Sequence, residues 1–194
     1  MGAPGGAEHS AGAGAATGQR GERIEVARIT KAHHTGLQVE SLERSVQFYR
    51  EVFGFEQVFQ WNPRAVYIGE LVGYPEVDLH AAILRMPDSE TFLELLEYRN
   101  VERHPVDTRT ANPGTAHVAF FVEDLDGLYE DLRAKGVASV SAPVTPTIGP
   151  NAGGRAVYMI DPDGIRIELI ESSRSFGDYS TSEAEEGTVS GGCC

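Results

Sequence analysis

Apolar positions along this chain recur first at a spacing of two and then at a spacing of about 3.6, and the alternation runs through twice. Residues 28–40 mix β-branched and polar side chains and read as a strand. Ser41 is placed to cap a helix in which Leu42, Val46, Tyr49, Val52 and Phe53 form one apolar stripe, and Gly54 supplies the stop. Strands are predicted over 56–61, 65–69, 79–86 and 91–98, with a loop over 72–78 and a turn at Pro87-Asp88-Ser89. After a polar stretch the pattern restarts with a strand over 115–123, Asp124 as cap, and a helix stripe of Leu125, Leu128, Tyr129 and Leu132 that ends at Gly136. A Pro-rich stretch over 141–150 is expected to hold one irregular strand, and 149–154 a flexible loop. Residues 155–160 and 165–171 then form a hairpin around Asp161-Pro162-Asp163-Gly164.

The restart is a true repeat. His34 stands five positions before Val39-Glu40-Ser41-Leu42, as His117 stands five before Val122-Glu123-Asp124-Leu125, and this register makes His33 the bystander of the two adjacent histidines. Phe92-Leu93-Glu94-Leu95-Leu96-Glu97 is likewise matched by Arg166-Ile167-Glu168-Leu169-Ile170-Glu171. The predicted fold class is α+β, with two tandem βαβββ modules forming an incomplete barrel around a metal cleft. In that packing each sheet has one face covered by its own helix and one face shared with the other module. The expected divisions are a disordered tail at 1–24, a first module at 25–98, a linker at 99–114, a second module at 115–173 and a disordered tail at 174–194.

Composition narrows the function. A formal charge of −13 opposes binding to nucleic acid and to anionic membranes. No apolar run reaches the roughly 20 residues of a membrane span, and residues 1–24 lack the apolar core of a secretory signal. The expected location is the cytoplasm and the expected partner a small molecule. The two cysteines, Cys193 and Cys194, are adjacent in the C-terminal tail, which is no disulfide framework.

The chemistry-bearing residues are those the repeat keeps. Alternation puts His34, Gly36 and Gln38 on one strand face, and His117, Ala119 and Phe121 on another. Glu94 and Glu97 are three apart and point to opposite faces, as do Glu168 and Glu171. With the helices covering the Leu and Val faces, His34, Glu94, His117 and Glu168 are expected to converge on one cleft. Two imidazoles and two carboxylates without thiolate suit one divalent transition metal, with Ni, Co, Zn, Mn and Fe(II) all open. A cation would also offset the cost of turning two carboxylates into one cleft.

The pattern His-x-x-x-x-Val-Glu-x-Leu-x-x-Ser-x-x-Phe-Tyr-x-x-x-x-Gly-Phe over 34–55, with Asp161-Pro-Asp-Gly-x-x-Ile-Glu-Leu, resembles the vicinal oxygen chelate superfamily. That superfamily includes glyoxalase I, methylmalonyl-CoA epimerase, extradiol dioxygenases, fosfomycin-modifying enzymes and bleomycin-sequestering proteins. The resemblance spans about residues 29–172 and implies paired βαβββ modules, with the four ligands on His34, Glu94, His117 and Glu168. It also implies a tendency to form homodimers.

Glu94 discriminates among these chemistries. Extradiol dioxygenases have a triad resembling His34, His117 and Glu168 and generally lack a carboxylate at the Glu94 position. A two-His, two-Glu set is similar instead to bacterial-type glyoxalase I and, more loosely, to the epimerase. The resemblance thus implies a lyase or isomerase in which Glu168 and Glu94 are the paired acid and base, moving a proton next to a carbonyl. An Fe(II) dioxygenase and a metal-free binding or resistance protein are the alternatives. Arg155, Tyr67 and Tyr158 are candidate substrate contacts, with Trp61 as a further wall residue and Arg64, Arg103, His104 and Arg109 as further anion contacts.

Overall fold

The computed structural model describes residues 28–172. Contacts divide the chain into Met1–Ala32 and His33–Cys194, and the architecture below is that of the described part of the second unit. The predicted tails, with Cys193 and Cys194, lie outside the described residues.

The first module runs β1 (His34–Gln38), α1 (Leu42–Phe53), β2 (Glu56–Trp61), α2 (Val66–Val72), β3 (Leu79–Arg85) and β4 (Phe92–Tyr98). The second runs β5 (His117–Phe121), α3 (Leu125–Ala134), β6 (Ala138–Ser139), β7 (Arg155–Ile160) and β8 (Arg166–Glu171). Each makes a four-stranded sheet, in the orders β1-β4-β3-β2 and β5-β8-β7-β6. The first strand of each module pairs in parallel with the last, and the other pairs are antiparallel. The result is the expected two-module α+β architecture, open rather than closed.

Local chemistry explains the helix boundaries. Ser41 caps α1 by accepting the Arg44 N–H, and Gly54, at φ 70°, ends the helix in the left-handed conformation glycine tolerates. Asp124 caps α3 by accepting the Gly127 N–H. A second cap comes from the sheets, since Glu97 accepts the Leu42 N–H at 3.0 Å and Glu171 accepts the Leu125 N–H at 2.8 Å. The second glutamate of each repeat therefore satisfies an otherwise orphaned donor at the start of its module's helix.

Glu97 gives a stability prediction. Burial works to raise its carboxyl, but the hydrogen bonds from Arg99 and from the Leu42 N–H outweigh this and hold it below its ordinary value of 4.5. A depressed folded value means that the carboxylate stabilises the fold above the unfolded value and loses that contribution as pH falls through the folded one. Glu97→Gln is expected to cost about 1–2 kcal/mol at pH 7, read from urea midpoints, with the gap to the parent closing as the carboxyl titrates. Equal midpoints at pH 7 would contradict this role.

Three elements differ from expectation. Residues 65–69 are not a strand: Ile68 and Val72, four apart, pack on Trp61, Leu79, Leu96 and Tyr98 as one face of α2. Gly69 is needed there, because a Cβ would meet the Tyr74 carbonyl oxygen at 2.9 Å. The first strand is confined to His34–Gln38. The Pro-rich stretch contributes only a bridge between Val144 and Ala156, while β6 lies before it at Ala138–Ser139.

The two modules share one apolar core. Leu37, Leu84, Leu93 and Leu95 of the first belong to the same cluster as Leu125, Leu132, Val157, Met159, Ile167 and Leu169 of the second. Phe55 meets Phe120 edge to face at 5.4 Å. Polar ties from α1 to the turn between β7 and β8 fix the packing: the Tyr49 hydroxyl donates to Asp161 at 3.0 Å, and Ser45 donates to Asp163 at 3.0 Å. Arg44 also donates to Asp163, at 2.6 Å. Burial and the bond to Asp161 hold the Tyr49 phenol well above its ordinary value, so it remains a donor. The sheet faces covered by α1 and α3 are thus the ones turned to the common core, while α2 packs on the opposite face of the first sheet.

Candidate metal centre

Strand alternation and register place the candidate ligands. Gly36 of β1 pairs with Glu94 of β4, and Leu93 and Leu95 on either side of Glu94 are core residues. Glu94 therefore shares with His34 the face turned away from the core, and His34 Nε2 lies 3.0 Å from Glu94 Oε2. The second module repeats the geometry. Ala119 pairs with Glu168 between the core residues Ile167 and Leu169, and His117 Nε2 lies 3.1 Å from Glu168 Oε2. Each pair joins one imidazole nitrogen to one carboxylate oxygen, two donors suited to sharing a borderline divalent cation.

The four side chains come together two by two. Among the described residues no group of three or more His, Cys, Asp or Glu is placed to hold a metal ion. The expected convergence of all four within one chain is therefore not found, and the reason is the core: it joins the faces covered by α1 and α3 and leaves each His–Glu pair on the opposite face of its sheet. These faces are open, with the imidazoles 38% and 45% exposed and their carboxylates 16% and 21%. Phe59, level with Glu94 across β3, and Phe121, two strand positions beyond Ala119, are exposed on the same faces. Two clefts of about 670 and 870 Å³ lie elsewhere, one along α1 and β2 and one under α2, and neither is lined by these pairs.

Other side chains border the pairs. Tyr158 stands opposite Glu168 in the β7–β8 register and meets the His117 ring edge to face at 5.3 Å. Burial, the Glu168 charge and a hydrogen bond to that carboxylate raise the Tyr158 phenol above its ordinary value, keeping it a proton donor. Trp61, level with Ala81 and Leu96, shares the Glu94 face, and its buried indole N–H has no partner among the described residues. Tyr67 lies on α2 and is 56% exposed.

Arg155 lies on the opposite face of its strand from Tyr158. It stands opposite Glu171 on the core-side face, where Asp126 of α3 and Thr145 hold its guanidinium. Arg64, Arg109 and His104 lie beside Asp78, Asp107 and Glu102, and Arg103 donates to the carbonyls of Val39 and Glu40. Arg166 was missed. It pairs with His117 in register, two positions before Glu168 and so on the same face; Nη1 donates to the Gly164 carbonyl at 2.7 Å and the buried Nε has no partner among the described residues. Its even separation from Glu168 was the available signal.

Comparisons with known proteins bear on the family and the fold. Residues 31–169 match the family model of the Glyoxalase/Bleomycin resistance protein/Dioxygenase superfamily. The chain is 34% identical over 151 residues to a 2-epi-5-epi-valiolone epimerase from Actinomyces sp, covering 71% of this chain and 77% of that protein. It is 33% identical over 144 residues to a lactoylglutathione lyase from Haemophilus influenzae, covering 72% of this chain and 90% of that protein. A glyoxalase family protein from Bacillus cereus shares the fold, with a TM-score of 0.63 at 23% identity over 77% of this chain and 98% of that one. Among the described residues no helix is long and apolar enough to cross a membrane.

Proposed function

We propose, from the premise that the chain belongs to the glyoxalase/bleomycin resistance protein/dioxygenase superfamily, that it is a metal-dependent isomerase or lyase whose centre is completed by a second copy of the chain. The observation carrying this reading is the duplicated His–Glu pair, set on two open faces of one molecule. In a two-fold dimer the His34–Glu94 face of one protomer covers the His117–Glu168 face of its partner, giving two equivalent four-ligand centres. Covering these faces also buries the exposed rings of Phe59 and Phe121.

The donor set fits Ni, Co, Zn, Mn or Fe(II). Such a metal would polarise a substrate carbonyl and stabilise negative charge developing on its oxygen. The chain's own residues supply proton transfer. Glu94 and Glu168 come from opposite walls, so one carboxylate takes the proton from the carbon beside the carbonyl and the other returns one to the opposite face. Tyr158 keeps the Glu168 carboxylate oriented, and the Arg166 guanidinium, two strand positions before Glu168 on the same face, is a donor for substrate oxygens.

Within this chemistry a small hydroxylated ketone is favoured over a peptide thiol conjugate. Arg64, Arg103, Arg109 and Arg155, the cations considered for the carboxylates of such a conjugate, already face protein carboxylates or carbonyls. Elemental analysis of the purified protein, followed by assays with the bound metal on 2-epi-5-epi-valiolone and on lactoylglutathione, tests the reading. Stoichiometric metal and turnover of a ketone are expected. Metal-free protein, or iron with oxygen uptake on a catechol, would replace it with the binding or dioxygenase alternative.

A further inference from the structure

His33 Nδ1 lies 2.7 Å from His34 Nδ1, the nitrogen of His34 turned away from Glu94. The rings meet edge to face, with centroids 5.0 Å apart and planes at 76°. A contact of this length between two nitrogens needs one donor and one acceptor. The Glu94 carboxylate accepts at His34 Nε2, so a neutral His34 carries its hydrogen there. Its Nδ1 is then the acceptor, and His33 Nδ1–H is the donor.

A metal at His34 Nε2 reverses this assignment. The ligating nitrogen must be bare, so the ring hydrogen moves to Nδ1, and His33 must accept where it had donated. Resting on the proposed role of His34 as a ligand, we propose that His33 is a positioning residue for the metal centre, presenting the His34 ring through a paired exchange of tautomers. The protons balance: the His33 Nδ1 hydrogen crosses to His34 Nδ1, the His34 Nε2 hydrogen leaves to water, and water supplies one to the exposed His33 Nε2. His34 and His33 together hold two ring hydrogens before and after.

The repeat provides an internal contrast. Ala116 stands where His33 stands in the first copy, and the His117 ring is packed by Tyr158 instead. The two imidazoles are thus held by different means, one through a polar exchange partner and the other through an aromatic edge. Partners of this kind, bonded to the far nitrogen of a ligating histidine, commonly change metal affinity by about 10–100-fold. The register of the repeat marked His33 as a bystander because it reports which residues recur, and this partner occurs once.

The test uses the full chain and Zn²⁺ alone. In calorimetric titrations His33→Ala is expected to weaken Zn²⁺ binding by about 10–100-fold, and His33→Asn, whose side-chain oxygen can accept from His34 Nδ1–H, to recover most of it. Long-range ¹H–¹⁵N spectra of the parent are expected to show His34 as the Nε2–H tautomer without metal and as Nδ1–H with Zn²⁺, while His33 changes in the opposite sense. Parent-like Zn²⁺ affinity in His33→Ala, with binding lost in His34→Ala, would overturn the role of His33 and leave the metal centre standing. No Zn²⁺ binding by the parent would overturn both.

Discussion

Turnover is expected to fall by roughly 100- to 10,000-fold in Glu168→Gln and again in Glu94→Gln, the range spanned by loss of a positioned acid or base. The amide keeps the size and hydrogen-bonding shape of the carboxylate but cannot take a proton at neutral pH. Both side chains lie on strand faces turned away from the core and are partly exposed, so the fold has little reason to change. Circular dichroism and thermal midpoints should therefore match the parent while kcat collapses. Parent-like kcat in either variant would remove that residue from proton transfer.

A comparable loss is expected in metal affinity when an imidazole is removed. His34→Ala and His117→Ala should each weaken divalent-metal binding by at least about 100-fold, more than the loss of an outer-shell partner. The two variants should be alike, because the pairs are near copies at 3.0 and 3.1 Å. A loss in one variant alone, measured by competition against a chromophoric chelator, would show that the pairs do not belong to one type of centre.

Much of this was legible in the sequence because strand alternation is a strict rule. The odd spacing of Glu94 and Glu97 predicts opposite faces, as does that of Glu168 and Glu171; that Glu97 and Glu171 end as helix caps depends on Leu42 and Leu125, which spacing alone does not bring to them. The same rule, carried one step further, would have separated Arg155 from Tyr158, which are three apart in β7, and found Arg166 two before Glu168. Alternation says which side chains share a face, but not which face meets which module. That choice rests on ties between distant residues, the Tyr49 hydroxyl on Asp161 and Ser45 and Arg44 on Asp163. Helix α2 was misread for a related reason. Val66 and Ile68 alternate as in a strand, and the helical spacing of Ile68 and Val72 becomes visible only with the partners they pack against.

The central claim is that each metal centre draws His34 and Glu94 from one protomer and His117 and Glu168 from its partner. Co-expression of His34→Ala and His117→Ala chains under different affinity tags, with isolation of the doubly tagged dimer, tests it most directly. One centre of that mixed dimer then lacks both imidazoles and the other keeps all four ligands, so one metal ion should bind with parental affinity although neither variant alone binds tightly. A mixed dimer that binds no better than its two parents, or a protein that stays monomeric with metal bound, would contradict it.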